Sequence, residues 1–371
     1  KLQVNYRAGL DDIPELNQGN DVNIDGSYLA YKLGNWVLSA GAIERWWGPG
    51  IDTNLIMSTN SRPLPALSIT RDNSAAFETP WLSWIGPWTL TAQMAQLEGD
   101  REVADTLMWS TRGTFRPLRG LEIGVSWSLQ WAGEGQPSSM SDFLKAITGG
   151  HQCADGGPAS SCNLGGLTQY GNHIAGFDAR WSDTVFDLPY ALYFQSIGED
   201  SPEKGLITDK ADMYGIETRF TLFNQRILAN LEYTDTQVAC NRSGPSPELN
   251  CFYEHKTYQS GYRYYRRTIG STYDNDAQTL VATFLIQTTA GNSWQLKFRK
   301  AQLNTDNSDW YPDDINMGNS VSQVAPTVMI LEASVSFKEL SVFKNPSDKT
   351  SKAYTPFVIL RIFESICLIV K

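Results

Sequence analysis

The chain has 371 residues, with 30 Lys+Arg against 40 Asp+Glu for a formal net charge of -10, and only 19% of residues are charged, below the ~25% usual for soluble domains. Its 12 Trp, 16 Tyr and 15 Phe supply enough apolar surface to exclude disorder, and the acidic balance excludes a broad phosphate-neutralising surface, so no nucleic-acid partner is expected. No apolar run reaches the ~18 residues of a membrane helix; Phe357 to Val370 comes nearest and is broken by Arg361 and Glu364. The start at Lys1, without Met or a signal peptide, reads as processed or trimmed and leaves a secretory origin open.

Taken in order, the chain alternates with period two almost throughout. Leu2, Val4, Tyr6 and Ala8 alternate with Gln3, Asn5 and Arg7. From Leu121 to Trp131 one parity reads Leu, Ile, Val, Trp, Leu, Trp and the other Glu, Gly, Ser, Ser, Gln. The same holds from Ile227 to Thr234, Trp294 to Arg299 and Leu331 to Phe337. Successive strand side chains face opposite ways, so each such strand has one greasy and one wet face. Fourteen strands are predicted: 1–9, 22–33, 36–45, 65–72, 83–97, 104–116, 121–133, 172–182, 187–197, 210–222, 227–238, 278–288, 293–302 and 326–338, with residues 251–270 able to add a pair. Pro189 cannot donate to a ladder, so it belongs near its strand's beginning or at a bulge.

Several of these strands reach the roughly ten residues that cross a bilayer when tilted. Trp36, Trp88, Trp109, Trp127, Trp131, Trp181, Tyr214, Tyr233 and Trp294 stand near their ends, as interfacial girdles require. Short connectors (34–35, 117–120, 183–186, 224–226, 289–292) alternate with long polar ones (134–170, 239–256, 303–322). That asymmetry predicts an all-β, antiparallel transmembrane β-barrel with short periplasmic turns and long extracellular loops. The barrel is assigned to residues 1–338, and 339–371 to a C-terminal tail of uncertain structure. Cys153 with Cys162, and Cys240 with Cys251, bracket two loops at a spacing unlike metal or redox sites; two loop disulfides and an oxidising compartment are expected. Cys367 is left over.

Residues 40–50 read Ala-Gly-Ala-Ile-Glu-Arg-Trp-Trp-Gly-Pro-Gly and residues 55–68 Leu-Ile-Met-Ser-Thr-Asn-Ser-Arg-Pro-Leu-Pro-Ala-Leu-Ser. Arg45 to Gly50 together with Arg62-Pro63-x-Pro65 closely resembles the signature region of the Wzi family, outer-membrane proteins that help attach capsular polysaccharide to the bacterial surface. The local match covers about thirty residues. What the resemblance implies is a barrel of roughly eighteen strands, bringing the expected range to about 14–18, closed on the periplasmic side by a helical bundle. It also implies a surface lectin. No helical segment precedes the first strand and the tail ends in Lys371, so the bundle is expected to be absent here or to lie outside this sequence, and the tail to be foreign or misassigned.

The residues carry their own chemistry. Gly48 and Gly50 around Pro49 make a tight turn; Trp46 and Trp47 offer flat faces to sugars, and Arg45 and Arg62 can fork onto carboxylates. The same turn could instead brace the wall, with a Trp in the girdle and the arginines paired inside. Tyr258, Tyr262, Arg263, Tyr264, Tyr265, Arg266 and Arg267 form a basic-aromatic patch where an anionic glycan would land, or else a strand with its arginines inward. Of these, Tyr262, Arg263, Tyr264 and Arg266 join Arg45, Trp46, Trp47 and Arg62 as candidate polysaccharide-binding residues. Asp21-x-Asn23-x-Asp25-Gly26 opens like a calcium loop, but Lys32 stands where the bidentate Glu belongs; a strand is the simpler reading. Asp306, Asp309, Asp313 and Asp314 read as a solvated loop. With His151, His173 and His255 as the only histidines and none of the common nucleophile, zinc, phosphate-loop or dinucleotide motifs, no enzyme, metal or cofactor is expected. The expected partners are capsular polysaccharide and outer-membrane lipid, for a monomer at the outer membrane. A channel for small solutes is the alternative, since a barrel of this size can enclose water.

Overall fold

β-Branched and aromatic residues in strict alternation fit a pleated sheet with unlike faces, and the computed structural model, which describes residues 1–3, 5–7, 21–147, 171–199, 210–238, 251–255, 257–305 and 327–336, is built from them. The strands are β1 (Asn5–Arg7), β2 (Asp21–Asn23), β3 (Tyr28–Leu33), β4 (Trp36–Ala42), β5 (Pro65–Arg71), β6 (Trp88–Gln96), β7 (Leu107–Leu118), β8 (Leu121–Trp131), β9 (Asn172–Val185), β10 (Leu188–Glu199), β11 (Lys210–Leu222), β12 (Gln225–Asp235), β13 (Arg263–Tyr264), β14 (Arg267–Thr268), β15 (Ala277–Gln287), β16 (Ser293–Leu303) and β17 (Thr327–Ser336). Among the described residues, thirteen form one antiparallel sheet in the order β17-β16-β15-β12-β11-β10-β9-β8-β7-β6-β5-β4-β3.

Several expected strands are corrected. Among its described residues the segment 1–9 supplies only the short β1, which pairs with β2, while Lys1 exchanges two backbone hydrogen bonds with Tyr28 at the start of β3. The segment 22–33 is broken at Asp25-Gly26, where Gly26 turns at φ +81°. Residues 83–87 are not strand: Ser83–Ile85 make one 3-10 turn before β6. Residues 251–270 do add a pair, but as the two-residue hairpin β13–β14 apart from the wall. Pro189 sits second in β10, opposite Thr184, where its missing N–H does least harm. Two turns shift by a few residues: Phe186-Asp187 and Phe223-Asn224 close their hairpins with φ of 48°, 62° and 50°, 60°, the left-handed pair of a type I′ turn. One helix, α1 (Met140–Ile147), was not foreseen in the long 134–170 connector. Its Phe143 packs on Trp131 and Trp109 at 4.7 and 5.8 Å. Trp131 is therefore covered by protein instead of standing in a girdle.

The sheet is inverted relative to a water-soluble one. Ser110, Ser126, Ser128, Asp178, Gln195, Glu217, Asn230 and Glu232 are buried, while Phe177, Leu192, Tyr214, Ile216, Leu231, Tyr233 and Phe298 are exposed. Along β12 the alternation is direct: Leu231 is 44% exposed, Glu232 1%, Tyr233 36%. The inward polar groups bond across strands. Ser110 and Ser128 share a 2.8 Å hydrogen bond, and Arg112 on β7 reaches Asp178 on β9 at 2.6 and 2.9 Å. It does so over Gly124 of β8, where an added Cβ would lie 2.5 Å from the guanidinium. A greasy outer face over a hydrogen-bonded polar interior suits hydrocarbon outside.

The sheet is rolled, and one loop proves it. Arg45, after β4, donates to Ser68 Oγ of β5 at 2.9 Å, while Asp52, seven residues on, accepts from Lys297 and Arg299 of β16. Nine strand spacings separate β5 from β16, roughly 43 Å on a flat sheet, yet the seven residues between the two contacts reach ~25 Å only at full stretch and here run into a closed turn. The wall must curl around this loop. β3 and β17 are not paired with each other among the described residues. Cys153, Cys162, Cys240, Cys367, His151, the Asp306 to Asp314 cluster and the tail 339–371 lie outside those residues.

Candidate functional site

Two loop segments from the long-connector end, 43–64 and 251–276, fold into the rolled sheet and meet inside it. The turn at Trp47 to Asn54 needs its glycines: Gly48 holds φ +151°, and a Cβ there would lie 2.1 Å from Asn54 Oδ1. Asn54 Oδ1 accepts from Gly50 N at 3.1 Å, and Trp47 N donates to Met57 O at 2.9 Å. The turn so formed points backbone N–H groups at the wall. Glu232 of β12 accepts from Ile51 N (2.8 Å), Thr53 N (3.1 Å) and Tyr193 Oη (2.9 Å). Gln195 of β10 clasps the chain both ways, accepting from Leu55 N at 2.7 Å and donating to Trp47 O at 2.9 Å.

Asp52 is the electrostatic anchor. Lys297 Nζ and Arg299 Nη2 donate to it at 2.8 and 2.9 Å, and the Tyr273 hydroxyl at 2.5 Å. Burial opposes its ionisation, but the two cations outweigh burial and hold its carboxyl below the usual range. The second segment is tied to the first through tyrosine hydroxyls: Tyr253 to Leu55 O at 2.6 Å and Tyr262 to Ile56 O at 2.9 Å. Arg263 is clamped by Glu254 (2.5 Å) and Asp274 (2.7 Å); burial disfavours its charge, yet the two carboxylates raise its pKa above the ordinary arginine value. The result is a plug with an apolar centre of Trp47, Leu55, Ile56, Tyr253 and Tyr262 and a polar seam against the wall.

This placement sorts the candidate residues. Trp47 is 5% exposed, Tyr262 1% and Tyr264 7%, and Arg263 is saturated by its carboxylates. These four pack into the plug with little of their surface left open, the arrangement of the bracing alternative. The hairpin carrying Tyr262, Arg263 and Tyr264 turns inward onto residues 55–58 in place of extending the wall, and Trp47 sits on the turn that it meets, bridged to Met57. Trp46, 40% exposed, keeps an open ring edge while its Nε1 donates to Gly50 O at 2.9 Å. Arg62 is paired with Asp25 at 3.0 Å under the Tyr265 ring at 4.8 Å. Asp25 is thus part of an ion pair, and among the described residues no three His, Cys, Asp or Glu are placed to hold a metal. Arg266 is exposed at the β13–β14 tip beside Tyr265 and Arg267. Tyr265 and Arg266 take φ of 49° and 62°, a backbone that bulky residues adopt at a cost, so the tip displays these rings and charges against local preference.

Between plug and wall lies a narrow cleft lined among others by Glu44, Arg45, Ser58, Thr59, Arg62 and Gln93. Ser68 and Gln93 stand three residues from the long-connector ends of β5 and β6, roughly 10 Å of strand, so the cleft lies in that half of the barrel. Sequence reasoning missed Asp52, Glu232, Gln195 and Tyr273; the available signal was the wet parity of β10, β12 and β16, which marks inward residues without saying what they hold. Cys251 is disulfide-bonded. His173, on the outward parity, is covered by Trp127, whose Nε1 donates to it at 3.1 Å.

Comparison with known proteins follows this geometry. The family of capsule assembly protein Wzi matches residues 2–352. A Klebsiella pneumoniae protein known as an uncharacterized 55.8 kDa protein in the cps region is 35% identical over 219 residues, 58% of this chain and 40% of that one. The solved structure of Wzi from Escherichia coli, an outer membrane protein involved in group 1 capsule assembly and described as a carbohydrate-binding β-barrel, is similar with a TM-score of 0.69 and 28% identity, over 86% of this chain and 64% of that one. The chain thus spans less than two thirds of either relative. An exposed apolar wall, short turns on one rim and long loops on the other, with this kinship, make it an outer-membrane β-barrel. The chain belongs to the capsule assembly protein Wzi family.

Proposed function

We propose that this chain holds capsular polysaccharide at the outer face of the outer membrane, without catalysing any change in it. The observation that carries the reading is the plug. Arg45 ties the 43–64 loop to β5, and Asp52 and Glu232 fasten it to β16 and β12, so this loop occupies space inside the wall and the long-loop face becomes the working surface. Trp46 and the strained tip Tyr265-Arg266-Arg267 stand on that face with Arg45 and Arg62 in the cleft beside them. Rings stack on the C–H faces of sugars and guanidinium groups bond their oxygens; each contact is weak, and repetition along a polymer sums them. The E. coli relative's description as carbohydrate-binding supports the same reading. The plug bonded inside the wall weighs against the channel alternative.

The test uses encapsulated cells. Cells lacking the protein should shed polysaccharide that cells carrying it retain. Alanine at Trp46, Tyr265 and Arg267 together should lower the retained fraction several-fold while the barrel stays in the membrane. Equal retention with and without the protein would contradict the proposal, as would release of shortened sugar chains by purified protein.

A further inference from the structure

The lumen and its plug are crowded with cations, and nearly all are answered by a carboxylate. Arg62 meets Asp25, Arg101 meets Glu98, Arg112 meets Asp178, Arg180 meets Glu217, Arg263 meets Glu254 and Asp274, and Lys297 and Arg299 share Asp52. Arg45 breaks the pattern. Among the described residues its guanidinium has one hydrogen bond, to the neutral Ser68 Oγ at 2.9 Å, and its Nε is buried with no partner. A half-buried guanidinium with unmet donors is costly, since a lost hydrogen bond to a charged group is among the most expensive to leave unmade. It also lines the cleft, together with Ser58, Thr59, Arg62, Gln93 and Glu44; Glu44 is exposed and, among the described residues, forms no ion pair with Arg45.

We infer that the Arg45 cleft is a receptor for a carboxylate group of an acidic polysaccharide, the planar anion completing the ion pair that Arg45 lacks among the described residues. The inference rests on the polysaccharide reading above and names the sugar class: uronic acids or sugars bearing carboxyl substituents. Guanidinium and carboxylate match in a two-pronged geometry that lysine does not reproduce. The hydroxyl and amide groups of the lining suit the ring oxygens next to such a carboxyl. Arg62, though in the same cleft, is committed to Asp25 and sets the rim through Tyr265.

The experiment measures binding of a short oligogalacturonate to the detergent-solubilised protein by calorimetry. A second titration uses the same oligomer after its carboxyls have been reduced to primary alcohols, and a third uses the intact capsular polysaccharide shed by cells that lack the protein. The wild-type barrel should bind the acidic oligomer at least about tenfold more tightly than the reduced one, as befits one charged hydrogen-bonded pair. Arg45→Gln should abolish that preference and Arg45→Lys restore only part of it. Equal binding of the two oligomers by the wild type overturns the carboxylate assignment even if no Arg45 variant folds, and a preference that survives in Arg45→Gln overturns the placement at Arg45. If the intact polysaccharide binds in either case, the broader reading stands and this one alone falls. Binding of none of the three overturns both.

Discussion

Asp52 shows how a single residue decides the character of the lumen. Its side chain is 1% exposed and shared by two cations, so removing its charge strands Lys297 against the plug and leaves Arg299 to Glu332 alone. Asp52→Asn should cost about 3 kcal/mol, read as a lower temperature at which the barrel loses its compact electrophoretic form. The pH dependence follows from the sign of the shift. A carboxyl whose folded pKa is depressed adds stability above its unfolded pKa, near 3.9, and loses it as pH falls through the folded value. The gap between wild type and Asp52→Asn should thus be constant from pH 8 to about 5 and close below about pH 4. A gap that closes between pH 5 and 7 would mean another group carries the effect. Gly48 makes a matching point in sterics: with φ +151° and Asn54 Oδ1 2.1 Å from any Cβ, Gly48→Ala should loosen the turn and with it the N–H groups that Glu232 holds.

At the scale of elements, the alternation of Leu231, Glu232 and Tyr233 was legible as one face to lipid and one to water, and the structure places them so. The tight turn at Gly48 to Gly50 was legible for the same local reason: glycine and proline announce backbone geometry. What the sequence does not announce is which segments leave the wall. Residues 251–270 and Trp46 to Asn54 have the aromatics of a girdle, but several of the contacts that seat them reach 126 to 247 positions along the chain, as in Tyr258 with Ala132 and Asp52 with Arg299. Pairing of that range depends on curvature of the whole sheet, which no local period encodes. Hence Trp47, Tyr262, Arg263 and Tyr264 were legible as important and not as plug. The plug yields its own prediction. In planar bilayers the native barrel should pass little current, whereas replacing residues 46–61 by a Gly-Ser linker of equal length should open steady conductance. Large conductance in the unaltered protein would restore the channel reading.

For the molecule as a whole, strand parity sets which surface meets the membrane, and kinship with the Wzi family agrees with it. A charge placed on the outer parity near mid-strand must sit in hydrocarbon. Ile216→Arg or Leu231→Arg should therefore lower stability by about 2–4 kcal/mol, against far less for the same change at the rim position Gln225, measured by urea titration in lipid vesicles. The two-rim asymmetry also divides the work: tight turns join the strands at one rim, and the plug with its cleft and the Tyr265-Arg266-Arg267 tip occupies the other. Everything proposed of the polysaccharide depends on that long-loop face. The most direct test is equilibrium binding of purified capsular polysaccharide to the folded, detergent-solubilised barrel, with the triple alanine variant at Trp46, Tyr265 and Arg267 alongside. The account predicts saturable binding by the wild type, weakened several-fold in the variant, with the polymer recovered at its original length; a folded wild-type barrel that binds no polysaccharide would contradict it.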